Sequence, residues 1–416
     1  MTTRIPDRAP TPKGGGPVRS TPLSERSLAP DLARGMMLLL IALAHVPYFL
    51  YVAQTGSAGL HPVEGSLADK IAQAFTLIVV DARVHTMFGF LFAYGIGQMY
   101  ARQTAKGTTA TQARRLLRRR HLWMIVFGAA HALLLWQGDI IGVYGLIGLI
   151  MVPLFFGRSD RTLKVCIGVL LGLGALIAVA SALGSALATS DAAATAGTEL
   201  QRASIAEQSY LASVMARFTV WVVQLFSGVA TLALPTAFLM GVLAARHRVL
   251  DEPGRHLVLL RRLALWGIAA GWSSGAVLAL QHTGVVEFGP VSMLTGVHFY
   301  AGIFTGVGYA ALFGLVAYRL SGRTAATARP VQWVGALGRR SMSGYLAQSV
   351  VWGPVLAAWG LGMGAHLSSW SVSMLAVVTW GVTVAGAAAL ERAGRRGPAE
   401  VLLRKLTYRA VRSGKS

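Results

Sequence analysis

Two histidines stand 11 residues beyond an arginine within apolar runs, His45 after Arg34 and His131 after Arg120. At 1.5 Å per helical residue each imidazole sits about 16 Å past its anchor, near the middle of a hydrocarbon layer about 30 Å thick. An ionisable group there costs roughly 3 kcal/mol on insertion scales. Two at one depth therefore point to a shared polar cavity, although either alone is accounted for by a bond to a neighbouring carbonyl or hydroxyl. Imidazoles take up and return protons near neutral pH, as a general base or in a relay. Asp139 is the preferred partner of His131. They lie 8 residues apart, about 12 Å along a continuous helix, so contact requires the helix to break before Gly138. Asp139 also suits a helix N-cap.

Other chemistry-bearing residues fall near the ends of apolar runs. Asp81, Arg83 and His85 gather at the entry of the second run, and His298 lies toward the end of the eighth. These four are candidate substrate-binding residues, and Asp81 with Arg83 equally suits an interfacial ion pair. His61 and Glu64 lie in the first link. Arg34, the run Arg118, Arg119 and Arg120, and the pair Arg339 and Arg340 stand at the mouths of three runs. Guanidinium forks match phosphate oxygens, which suits a nucleotide-tailed donor such as acyl-coenzyme A, while lipid anchoring is the plainer alternative. Beyond Arg340 the run carries Ser343, Tyr345, Gln348 and Ser349, polar enough to line a path inward. No metal site is expected: the buried histidines lack i, i+4 spacing and there is one cysteine, Cys166. No phosphate loop occurs, and no tightly bound cofactor is expected.

The chain of 416 residues is 54% hydrophobic and only 13% charged, against about 25% charged in soluble domains. Its formal charge of +22 does not point to nucleic acid, because the basic residues form short tracts at run ends rather than one stripe. Ten apolar runs are expected to cross a membrane: 33–53, 84–101, 119–137, 140–157, 164–187, 218–245, 263–281, 294–318, 341–361 and 369–390. Alternate links hold 34 of the 38 Lys and Arg residues, which orients them toward the cytoplasm and its anionic leaflet. The expected fold is an all-α polytopic bundle of about ten transmembrane helices in the inner (plasma) membrane, with both termini cytoplasmic. Residues 1–30 read as a disordered tail, 31–390 as the transmembrane domain and 391–416 as a basic amphipathic tail. Within them, 67–83 reads as an interfacial or re-entrant helix, 188–217 as a mobile link and 399–412 as a helix lying on the cytoplasmic leaflet.

Several stretches resemble the YeiB-like family of bacterial multipass proteins: Asp31-Leu-Ala-Arg34-Gly35, Leu91-Phe-Ala-Tyr-Gly-Ile-Gly97, His131 through Asp139 to Tyr144, Gly338-Arg339 with Tyr345-Leu-Ala-Gln348-Ser349, and Gly397-Pro-Ala-Glu400 with Leu406-Thr-Tyr408. The resemblance implies membership of a broader group of transmembrane acyltransferases. That group includes the lysosomal heparan glucosaminide acetyltransferase, which passes acetyl from cytosolic acetyl-coenzyme A to an amino sugar across the membrane. It commonly has Asn where this chain has His45, and its catalytic His falls in the loop after the first span, a role carried here to His61. The expected activity is transfer of an acyl group from cytoplasmic acyl-coenzyme A to a small-molecule acceptor. His131, Asp139, His45 and His61 would do the proton chemistry, and Arg34, Arg118, Arg119, Arg120, Arg339, Tyr345 and Gln348 would hold the donor. The alternative is a proton-coupled transporter or exporter using the same histidines.

Overall fold

The computed structural model describes residues 28–56, 58–187, 192–287, 291–320 and 328–412. The tail expected over 1–30 lies outside the described residues as far as residue 27, and residues 28–30 instead open the first helix. Fifteen α-helices are described: α1 (Leu28–His45), α2 (Leu67–Phe75), α3 (Val84–Ala105), α4 (Ala110–Leu134), α5 (Ile141–Phe155), α6 (Asp160–Leu187), α7 (Ala192–Ala206), α8 (Tyr210–Ala230), α9 (Ala233–Arg246), α10 (Leu257–His282), α11 (Ser292–Leu320), α12 (Arg329–Arg339), α13 (Ser341–Leu356), α14 (Ser369–Arg392) and α15 (Pro398–Arg412). Seven segments are long and apolar enough to cross a membrane: Leu28–Phe49, Leu67–Ala105, Asp160–Leu187, Tyr210–Ala230, Pro253–His282, Met293–Leu320 and Ser369–Arg392. Large apolar side chains such as Val165, Val169, Leu176 and Ile177 face outward along α6. A helix apolar on its outer face belongs in lipid, and the chain is a multi-pass membrane protein.

Local chemistry sets the breaks that matter. Pro47 has no N–H to continue the helical ladder, so α1 gives way after His45 to a 3-10 turn, Val46–Phe49. That places the His45 ring at the last turn of α1. At the end of α4, the N–H groups of Leu135 and Trp136 both turn to the His131 carbonyl. The chain reverses through Gly138, and α5 starts with its first N–H groups held by the Asp139 carboxylate.

Three elements differ from the sequence expectation, and segment 67–83 is helical as expected. The run 218–245 is two helices, α8 and α9, separated at Thr231–Leu232. Together they lead from Tyr210, bonded to the Leu134 carbonyl, to Arg246, bonded to the Phe155 and Phe156 carbonyls. Of the link expected to be mobile over 188–217, residues 192–206 form α7, and 188–191 lie outside the described residues. Arg202 donates to the Tyr51 carbonyl, and Ala358 N–H donates to the Ile205 carbonyl at 3.1 Å. Segment 67–83 is α2 followed by a π-helical turn, Thr76–Val80. Finally, α15 is packed into the bundle, with Leu403 and Thr407 buried. Glu400 fixes it there by accepting from the Met342 and Ser343 N–H groups at 2.9 and 3.1 Å, capping the start of α13.

The basic links also hid α12, an amphipathic helix packed against α1. Two glycines allow the approach: a Cβ at Gly35 would strike the Val334 carbonyl oxygen, and one at Gly338 the Asp31 carbonyl oxygen. Both neighbours are backbone and cannot rotate aside. Gly338→Ala is expected to push α12 off α1 at a cost of about 1–3 kcal/mol, read as a lowered thermal midpoint in detergent. An unchanged midpoint would refute the close packing.

Candidate functional site

The centre is built on the turn between α4 and α5. Asp139 is 2% exposed and His131 3% exposed. His131 Nδ1 donates to Asp139 Oδ1 at 3.1 Å, the contact that required α4 to end early. The carboxylate also accepts from Ile141 N–H (3.1 Å), Gly142 N–H (2.6 Å) and Trp221 Nε1–H (3.3 Å). It is therefore both the partner of His131 and the cap of α5. With Nδ1–H committed to Asp139, His131 Nε2 presents its lone pair, and this buried atom has no hydrogen-bond partner among the described residues.

Tyr345 brings the two histidines to one place. Its ring centroid is 5.3 Å from that of His131 and 6.2 Å from that of His45. Its hydroxyl donates to the Gly138 carbonyl at 2.9 Å and accepts from Ile140 N–H at 3.4 Å, bracing the α4–α5 turn. His45 also packs edge-on against Trp136 at 4.6 Å and Tyr48 at 6.5 Å.

A cavity of about 350 Å³ leads from the arginine-rich end of the bundle toward this centre. Its lining includes Arg34, Arg102, Arg120, Arg339, Arg396 and Arg404, the carboxylates Asp31 and Glu400, and Leu91, Phe92, Met124, Ile140, Ile141 and Tyr345. Neither histidine is among the lining residues; Tyr345 lines the cavity and contacts both rings. Arg34 donates to Asp31 Oδ1 and to the Leu91 carbonyl, both at 3.2 Å. Arg339 pairs with Glu391 at 2.8 Å and lies 3.9 Å from Asp31. Arg120 differs: its guanidinium lies 5.8 Å from the Phe92 ring centroid, its charged neighbour is Arg34, and it makes no ion pair among the described residues. From α15, Arg404 and Tyr408 complete this wall. Burial pushes the Tyr408 hydroxyl up from its ordinary pKa, and the Arg120 and Arg404 guanidiniums act the other way.

Some expected donor residues lie elsewhere. Arg118 is exposed, and neither it nor Arg119 lines the cavity. Successive residues on a helix point about 100° apart, so only one of three adjacent arginines faces inward. Gln348 is fully buried and off the cavity.

The remaining candidates form a separate cluster at the opposite end. His61 Nε2–H donates to Asp81 Oδ2 at 2.6 Å, and the His61 ring lies 5.9 Å from that of His282. Arg83, fully buried, donates to the carbonyls of Leu77 (3.0 Å), Asp81 and Gly271 and to His298 Nε2 (3.2 Å). Arg83 therefore does not pair with the Asp81 carboxylate, which is taken by His61. His85 packs on Phe299 at 6.3 Å, and its carbonyl accepts from Tyr144 at 2.6 Å. Sequence reasoning missed Trp221, Arg404 and Tyr408 as contributors; only Tyr408 had a signal, within the family-like tail.

The fold and this centre define a helical multi-pass membrane protein with an arginine-rich cavity that reaches Tyr345, the ring neighbour of a buried His–Asp pair. Residues 244–410 match the family described as "Protein of unknown function (DUF418)". The chain is 25% identical over 411 residues to the "Uncharacterized protein YxaH" of Bacillus subtilis (strain 168), covering 94% of this chain and 96% of that one. It is 30% identical over 162 residues to the "Uncharacterized protein YeiB" of Escherichia coli (strain K12), 36% of this chain and 39% of that one. An "Uncharacterized 39.9 kDa protein in amylase 3'region" of Bacillus acidopullulyticus is 33% identical over 141 residues, 34% of this chain and 37% of its own. These matches support the resemblance of the chain to YeiB-like proteins.

Proposed function

We propose that this protein is an acyltransferase of the inner membrane, with ten crossings and both termini in the cytoplasm. It takes an acyl group from acyl-coenzyme A at the arginine end and passes it to a small-molecule acceptor at the His131–Asp139 pair. The observation that carries the reading is Arg120: a guanidinium in a cavity wall beside another guanidinium, itself in no ion pair among the described residues, calls for an anion of the ligand. Phosphates of the donor meet Arg120, Arg34 and Arg404, and the acyl arm follows Phe92 and Leu91 to Tyr345. A hydroxyl of the acceptor gives its proton to His131 Nε2 as its oxygen attacks the thioester carbonyl. The C–O bond forms, the C–S bond breaks, and the proton passes to the departing thiolate. Asp139 holds the imidazole in the tautomer this needs and stabilises it when charged.

The test is thiol release from acetyl-coenzyme A by purified full-length protein in detergent, followed with a thiol reagent. The reading expects release that depends on an added acceptor. Proton-driven flux in vesicles with no thiol release would replace it with a transporter.

A further inference from the structure

Beside Tyr345 lies a set of buried polar atoms that the donor does not reach. On α13, Gln348 and Ser349 follow Tyr345 at i+3 and i+4, so all three share one face. Gln348 and Ser349 are 0% and 1% exposed. Trp136, 1% exposed, packs edge-on against His45. Among the described residues, both ends of the Gln348 amide, Ser349 Oγ, Trp136 Nε1, His131 Nε2 and His45 Nδ1 have no hydrogen-bond partner. Buried polar groups are nearly always paired, and each exception asks for a reason. Here six such atoms belong to the two ring neighbours of Tyr345, to Trp136 beside His45, and to the same face of α13.

We propose that this polar face beside Tyr345 is the binding site of an uncharged, hydroxyl-bearing acceptor, with the Tyr345 ring at the border where that site meets the donor cavity. The chemistry of the group selects the ligand class. Trp136 offers a donor only, His131 Nε2 an acceptor only, and Gln348 and Ser349 offer both. A hydroxyl, which donates and accepts at once, matches that mixture. A carboxylate or phosphate would find no cation among these residues. An ammonium would find only Asp139, whose oxygens already serve four donors. The proposal deepens the acyl-transfer reading and rests on it for the word acceptor.

The experiment uses the full chain with Cys166, its single cysteine, replaced by Ser, and Ser349→Cys or Gln348→Cys added. Uncharged methyl methanethiosulfonate should modify both thiols at least about tenfold faster than the trimethylammonium or sulfonate reagents of the same series, because burying a charge is far costlier than burying a neutral group. Glycerol should slow the reaction and ethylammonium should not. No modification at either position, equal rates with charged reagents, or equal protection by ethylammonium would overturn the proposal. Titration of coenzyme A into the same proteins separates the two readings. Binding without neutral modification removes only the acceptor site; neutral modification without binding removes only the donor reading.

Discussion

His131→Ala should lower acyl turnover by about 10²- to 10⁴-fold, the usual contribution of a positioned base, while coenzyme A affinity stays within about twofold. The expectation follows from separation. The donor cavity is lined by guanidiniums, two carboxylates, apolar side chains and Tyr345, whereas His131 is not among its lining residues and has Nε2 unpartnered among the described residues. Removing the imidazole takes away the proton acceptor and leaves the donor's contacts in place. Turnover measured with labelled acetyl-coenzyme A, beside calorimetric titration of coenzyme A, reads both quantities. Full turnover in the variant would take His131 out of the mechanism.

Asp139 should show a different pattern, because its carboxylate does two jobs. Asp139→Ala leaves His131 Nδ1–H, two backbone N–H groups and the Trp221 N–H without their acceptor in a fully buried place. Breaking a buried charged centre of this kind costs about 3–5 kcal/mol, so the variant should unfold at markedly lower temperature and lose turnover with it. Asp139→Asn keeps one carbonyl oxygen for the α5 cap and should lose much less stability. It no longer holds the His131 tautomer, because an amide can donate as well as accept, so turnover should still fall by about 10²-fold or more. Thermal unfolding beside turnover separates the two roles. An Asn variant as active as the parent would reduce Asp139 to a helix cap.

Much of this centre is legible in the chain itself. Depth counting from Arg34 and Arg120 set His45 and His131 at one level, and both rings do meet Tyr345. Gly138 marked the break that brings Asp139 back to His131. What stayed hidden depends on rotation and on docking. Hydropathy locates a run along the membrane normal but not the direction in which each residue points, so Arg118 and Arg119 could not be told from Arg120, nor Gln348 from the cavity wall. The helices α12 and α15 are short and basic, which conceals them among polar links. Their places are fixed by tertiary contacts, Gly338 against Asp31 and Glu400 against Ser343. Trp221 was hidden for a related reason: its bond to Asp139 joins residues 82 apart in sequence, and no periodicity carries that information.

The account rests on an anion of the donor meeting Arg120. Calorimetric titration of coenzyme A into the parent protein, Arg120→Ala and Arg118→Ala tests this directly. Charge-assisted hydrogen bonds are worth about 1.5–3 kcal/mol, so Arg120→Ala should weaken binding by roughly 10- to 150-fold, while Arg118→Ala, altered at an exposed position off the cavity, should bind as the parent does. No binding to the parent, or equal weakening in both variants, would contradict it.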